Sequence, residues 1–172
     1  MVNFLIALVF IVAGCGYTTG GGLYAGRKII ITPAVNKIDI TSETRKNSNY
    51  VTFPILIENK LTNKIISKFN IDGNLKVVNQ AQDALKLTCI VNDYAKEALR
   101  YTGTDDVQEQ RLRLYVATKL ISAQEKVLIN KTVVGETTYY LSGANQKSEE
   151  AAQVDLIDDT ARRISEAVTE EW

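Results

Sequence analysis

Apolar positions along the chain recur with two different periods, and the switches between them set the order of elements. Lys28 to Ile40 is rich in Ile and Val and is interrupted by Pro33. Proline offers no N–H to a sheet ladder, so the pattern predicts a strand that ends or bulges there. Over residues 52–69 the period changes: Phe53, Ile57, Leu61, Ile65 and Phe69 recur every four positions, with Ile66 beside them. That is one stripe of a helix, capped by Thr52, with Pro54 in the first turn and Asp72-Gly73 as the exit. Strand signals follow at Leu75 to Val78, at 84–94, at Arg111 to Ile121 and at Val127 to Tyr140. A second helix is expected from Ser148, as its cap, to about Glu170, with Glu149 and Glu150 in the first turn and Val154, Ile157, Ala161, Ile164 and Val168 as its stripe. A helix between two strands predicts a right-handed crossover and a parallel pair. The expected fold is α+β: a two-layer sandwich with two helices on one face of a mixed, mainly antiparallel sheet of about four strands, in the order β-α-β-β-β-α.

Phe4 to Val12 is an unbroken apolar run, too short to span a bilayer, and the small residues Ala13 and Gly14 follow it. Val12-Ala13-Gly14-Cys15 resembles a lipobox, in which the cysteine thiol receives a diacylglyceryl group before cleavage leaves it as the new amino terminus. The resemblance implies a signal peptide at 1–14, lipid attachment at Cys15, a lipidated flexible tether at 15–27 and a single α/β sandwich domain at 28–172. Gly16, where an Asp would retain the protein at the inner membrane, implies sorting to the outer membrane.

Two helices over one sheet face leave the other face uncovered. Leu85, Leu87, Cys89 and Val91 point to the helices, as do Leu112, Leu114, Val116 and Leu120. The opposite face then carries Ile90, Tyr115 and Ile121 among Lys86, Arg113 and Lys119. A freely solvated antiparallel face alternates cleanly to polar residues, whereas this one is apolar and basic together. It suits a partner protein or a phosphate-bearing amphiphile, although scattered surface apolar residues are common in themselves.

Composition narrows the chemistry. Formal charge is zero, so a basic nucleic-acid binder is excluded as a class, and no nucleic-acid partner is expected. The chain has no histidine, which removes Ser-His-Asp and Cys-His nucleophiles and histidine-based zinc sites. Acylation of Cys15 would leave Cys89 as the one thiol, with no intramolecular disulfide to form, and its apolar strand context reads as a small buried hydrophobe. No catalytic residues, cofactor or metal are expected, and the chain is read as a non-enzyme.

The start Cys15-Gly16-Tyr17, the amphipathic helix 52–69, the long strands and the closing segment GETTYYLSGANQKSEEAAQVDLIDDTARRISEAV resemble the LptE family of lipopolysaccharide-assembly lipoproteins. The resemblance spans nearly the whole mature chain. It implies a plug in the lumen of an LptD-type outer-membrane β-barrel, an aid to that barrel's assembly, and binding of lipopolysaccharide. Phosphates on that lipid would be met by cations at the ends of the sheet. Arg100, expected in the loop after strand 84–94, and Lys147, just before the second helix, are the candidates. A lipid-anchored adaptor for another envelope complex is the alternative.

Overall fold

β1 (Lys28–Ile31) and β2 (Val35–Asn36) are the two halves of one apolar stretch, separated at Pro33. In the computed structural model, which describes residues 24–38, 54–103 and 106–169, they are followed by α1 (Ile57–Asp72), β3 (Lys76–Val77), β4 (Leu85–Tyr101), β5 (Val107–Ile121), β6 (Val127–Tyr140) and α2 (Glu149–Thr169). The sheet therefore has six strands rather than about four, because the proline break and the short segment after α1 each contribute a paired strand. Strand order is β3-β1-β4-β5-β6, with β2 paired to β4. β1 lies parallel to β3 and β4, as the helical crossover requires, and β4-β5-β6 is an antiparallel meander.

α1 starts later than its stripe suggests. Leu56 adopts a left-handed conformation (φ 59°) and offers no side-chain cap, and Pro54 precedes the helix; Thr52 and Phe53 lie outside the described residues. The helix ends at the expected turn, where Gly73 (φ 71°) donates its N–H to the carbonyl of Phe69 at 3.0 Å. Glycine reaches this conformation without a Cβ clash, which is why the helix stops there. Ile57, Leu61, Ile65 and Phe69 are all fully buried.

α2 begins as expected, with Ser148 Oγ accepting from the N–H of Ala151 at 3.2 Å. Its buried stripe differs from the expected one at several positions. Val154 is exposed, and Ala152, Leu156 and Thr160 join Ile157, Ala161, Ile164 and Val168 inside. The helices are tied by Lys64 and Lys68, whose ammonium groups reach Asp158 at 2.8 and 3.0 Å. Hydrogen bonds from both lysines hold the Asp158 carboxyl below the usual range.

The β4 alternation runs true from Leu85 to Val91 and then breaks. Val91 pairs with Val116 and Asp93 with Tyr115, leaving Asn92 as a bulge. The extra residue reverses the phase, so Tyr94 points inward and is fully buried. Cys89, on the inner face opposite Thr118, is buried, and burial pushes its thiol up to about 12. Iodoacetamide at pH 8 should therefore leave Cys89 of the folded protein unmodified and label it fully in denaturant, as read by mass spectrometry. Labelling of the native state within minutes would contradict this burial.

Of the expected tether, residues 24–27 are described and form a turn: Arg27 N–H donates to Tyr24 and Gly26 N–H to Asn74. Cys15 lies outside the described residues. The chain thus enters at the end of the sheet that also holds the 122–126 turn, called here the near end. The far end holds the turn after Tyr101 and the 141–148 connection. β5, at 15 residues, sets the distance between them at about 50 Å.

Candidate functional site

The meander has one buried and one open face. Leu85, Leu87, Cys89, Val91, Leu112, Leu114, Val116 and Leu120 are buried on the side against which α2 packs. Register places Lys86 beside Ile121, Lys119 beside Thr88, Ile90 beside Ala117 and Arg113 beside Ala95, all on the other side, with Tyr115 between. The six residues expected on one face are thus brought together there. None of them is fully buried.

That face divides into two chemically different halves. Toward the near end, Tyr115 lies between Asp93 and Val134, Ala117 lies beside Ile90, and Ile121 and Ile30 follow beside Lys86, nearer the 122–126 turn, with Lys119 between. Neither lysine has a carboxylate partner among the described residues. Toward the far end the face is a lattice of opposed charges. Arg113 contacts Glu97 at 2.9 Å and Glu136 at 3.3 Å, Arg111 approaches Glu97 at 3.9 Å, and Arg100 pairs with Glu109 at 3.1 Å. Exposed ion pairs contribute about 0–1 kcal/mol each, so the lattice matters less for stability than for cancelling the field of the far half.

Glu97, Glu109, Arg111 and Glu136 were not among the expected site residues. Continuing the alternation of 111–121 back to Glu109 would have found two of them. The others depend on pairing across strands.

Arg100 is not in a loop. β4 runs on past the Asn92 bulge to Tyr101, so Arg100 is a strand residue, side chain 66% exposed, paired to Glu109. Lys147 stands where expected, before α2. Its ammonium is paired with Asp155, and its N–H donates to the carbonyl of Tyr140 at 2.9 Å. Because Tyr140 is the register partner of Glu109, which pairs with Arg100, the two residues share the far end, their backbones roughly three strand spacings, or about 14 Å, apart, with Arg100 turned to Glu109 and Lys147 to Asp155 of α2. Asp155 is exposed, so Lys147 gives it up at a cost of about 0–1 kcal/mol, whereas Glu109 is largely buried and Arg100 gives it up at a higher cost.

A polar knot lies under the start of α2 on the inner side. Glu149 accepts from Lys96 Nζ at 2.5 Å, from Tyr94 OH at 3.3 Å and from Tyr139 OH at 3.4 Å, while Tyr139 OH also reaches Gln110 at 2.6 Å. Burial first, and the Glu149 charge second, push both tyrosine hydroxyls up, so they stay protonated and donate. Next along α2, Asp159 accepts from the N–H of Glu136 at 2.9 Å and from Arg162 and Arg163. Burial raises this carboxyl, but the N–H and the two guanidiniums outweigh it and hold it below the usual range.

Among the described residues no helix is long and apolar enough to cross a membrane, and no group of three or more acidic or thiol side chains is placed to hold a metal.

Comparison with known proteins adds the family. Among curated proteins none matches the chain. Solved structures with similar folds include the hypothetical protein CT253 from Chlamydia trachomatis, at 9% identity and TM-score 0.54 over 81% of this chain and 94% of that one. Protein XCC0632 from Xanthomonas campestris has 12% identity and TM-score 0.53 over 83% and 82%. Rare lipoprotein B from Shewanella oneidensis has 15% identity and TM-score 0.48 over 80% and 91%. At these identities the first two share the fold and no more. The family model for lipopolysaccharide assembly, LptE, matches residues 37–168, well over half the length. On that match the chain belongs to the LptE lipopolysaccharide-assembly family.

Proposed function

We propose that this protein is a lipid-anchored plug and assembly partner of an LptD-type outer-membrane β-barrel, and that it binds lipopolysaccharide during insertion into the outer leaflet. The observation that carries the reading is the open sheet face: Ile90, Tyr115 and Ile121 are only half-buried on it, and Lys86 and Lys119 on the same face have no carboxylate partner among the described residues. Such a face is complementary to a surface outside the molecule, and family membership names the machinery that would supply it. In this reading the helices form one layer, the sheet the other, and the bare sheet meets the polar lumen of the barrel. Acylation at Cys15 would hold the near end at the membrane. Arg100 and Lys147, at the far end, would meet lipid phosphates about 50 Å from the chain's entry point. The protein then positions a substrate and performs no chemistry on it.

Photoreactive side chains at Tyr115 and Lys119 in intact cells test the partner. The expected product is an adduct with a very large β-barrel. An adduct with a different envelope protein would favour the adaptor reading, and no adduct from either position would sink both. For the lipid, Arg100→Ala combined with Lys147→Ala should weaken capture on immobilised lipopolysaccharide by roughly tenfold or more, the loss of two charge-assisted contacts. Unchanged capture would remove these two residues from the site.

A further inference from the structure

β6 is the outermost strand of the meander, and its outer edge is treated differently along its length. Leu141 donates to Gln108, so the odd residues of β6 turn their backbone groups toward β5. The even residues, Asn130 to Tyr140, turn theirs outward. In the far half some of these groups are met by the chain itself. Asp159 takes the N–H of Glu136, and Lys147 donates to the carbonyl of Tyr140, where Gln146 forms a bridge. In the near half, at Asn130, Thr132 and Val134, no described group takes the outward N–H or C=O. Unpaired edge groups in a register already held by β5 are a template for another strand.

Charge selects the kind of strand. Lys119, register partner of Asn130, together with Lys126 and Lys131, borders this stretch, and none has a carboxylate partner among the described residues. A second copy pairing antiparallel about the midpoint of 128–134 would put Lys131 opposite itself, a repulsive arrangement. We infer that the near half of the β6 edge is the docking site for an added strand, an extended segment of the partner protein carrying Asp or Glu opposite Lys131 and toward Lys119 and Lys126. The inference rests on the partner reading above and locates part of its interface. The open sheet face adjoins the edge through the Tyr115–Val134 pair, so one partner can cover both.

Photoreactive residues at Asn130, Thr132 and Val134, placed one at a time in the full-length protein in native cells, test it. Tyr115 serves as the reference position. The expected adducts fall in one acidic segment of the barrel and step along it by two residues for each two-residue step on β6. Thr132→Pro removes one outward N–H and no β5 hydrogen bond, so it should cut the edge adducts roughly tenfold, whereas Thr132→Ala should not. Thermal unfolding shows whether the proline variant keeps its fold. If it does not, Lys131→Glu decides, with a drop in yield expected and an unchanged or increased yield overturning the inference. Edge adducts with lipid, with a second copy or with nothing, while Tyr115 still links to the barrel, overturn the strand and leave the partner reading intact. Loss of adducts at Tyr115 as well defeats both.

Discussion

Alanine at Gly135 should destabilise the fold by about 2–3 kcal/mol, although it adds a single methyl group. A Cβ at this position would lie 1.9 Å from Thr160 Oγ1, 2.7 Å from Thr160 Cβ and 2.8 Å from Thr160 Cα. The first contact involves a side chain that is itself committed, since Thr160 Oγ1 donates to the carbonyl of Leu156 at 2.6 Å. The third is helix backbone, so α2 has to lift from the sheet. Lifting it would also loosen the Asp159 bond to Glu136, one residue along both elements. Urea unfolding of the Gly135→Ala variant measures the loss. Adding Thr160→Ala should recover only part of it, because the Cβ and Cα clashes remain. Full recovery, or a loss below about 0.5 kcal/mol, would mean that α2 sits farther from β6 than described.

Glu149→Ala should cost about 2–3 kcal/mol, for a different reason. Exposed ion pairs are worth about 0–1 kcal/mol, and breaking a fully buried one costs about 3–5 kcal/mol. The Lys96–Glu149 pair lies between these limits, with side chains 21% and 18% exposed. Removing the carboxylate takes an ion partner from Lys96 and an acceptor from Tyr94 OH, on a residue with no solvent exposure. Adding Lys96→Met to Glu149→Ala should therefore regain much of the loss, because an apolar side chain of similar length needs no partner. A double-mutant cycle reads the coupling directly. If Glu149→Ala costs less than about 1 kcal/mol, the knot is open to water, and it does not hold the start of α2 on the sheet.

Both sites show where sequence reasoning runs out. The helix stripe at Ile57, Leu61, Ile65 and Phe69 was legible because burial repeats every turn within one segment, and the helix end at Gly73 because a single residue type permits that backbone. The faces of 85–91 and 111–121 were legible for the same reason: alternation is local, and a strand with one buried side must obey it. Asn92 marks the limit. Nothing within residues 84–94 says that one residue is left unpaired, since a bulge is defined by the partner strand, and with it went the true length of β4 and the placement of Arg100.

The amino-acid order alone thus determined which segments are helix and strand, which sides of the long strands are apolar, the parallel crossover and the absence of histidine chemistry. Tertiary structure alone decided the rest: the sixth strand, the bare glycine under Thr160, the charge lattice across three strands, and an edge capped at Glu136 and Tyr140 but open at Thr132. Each of those depends on which residue of a distant segment arrives opposite, and register between segments is settled by the packing of all of them at once.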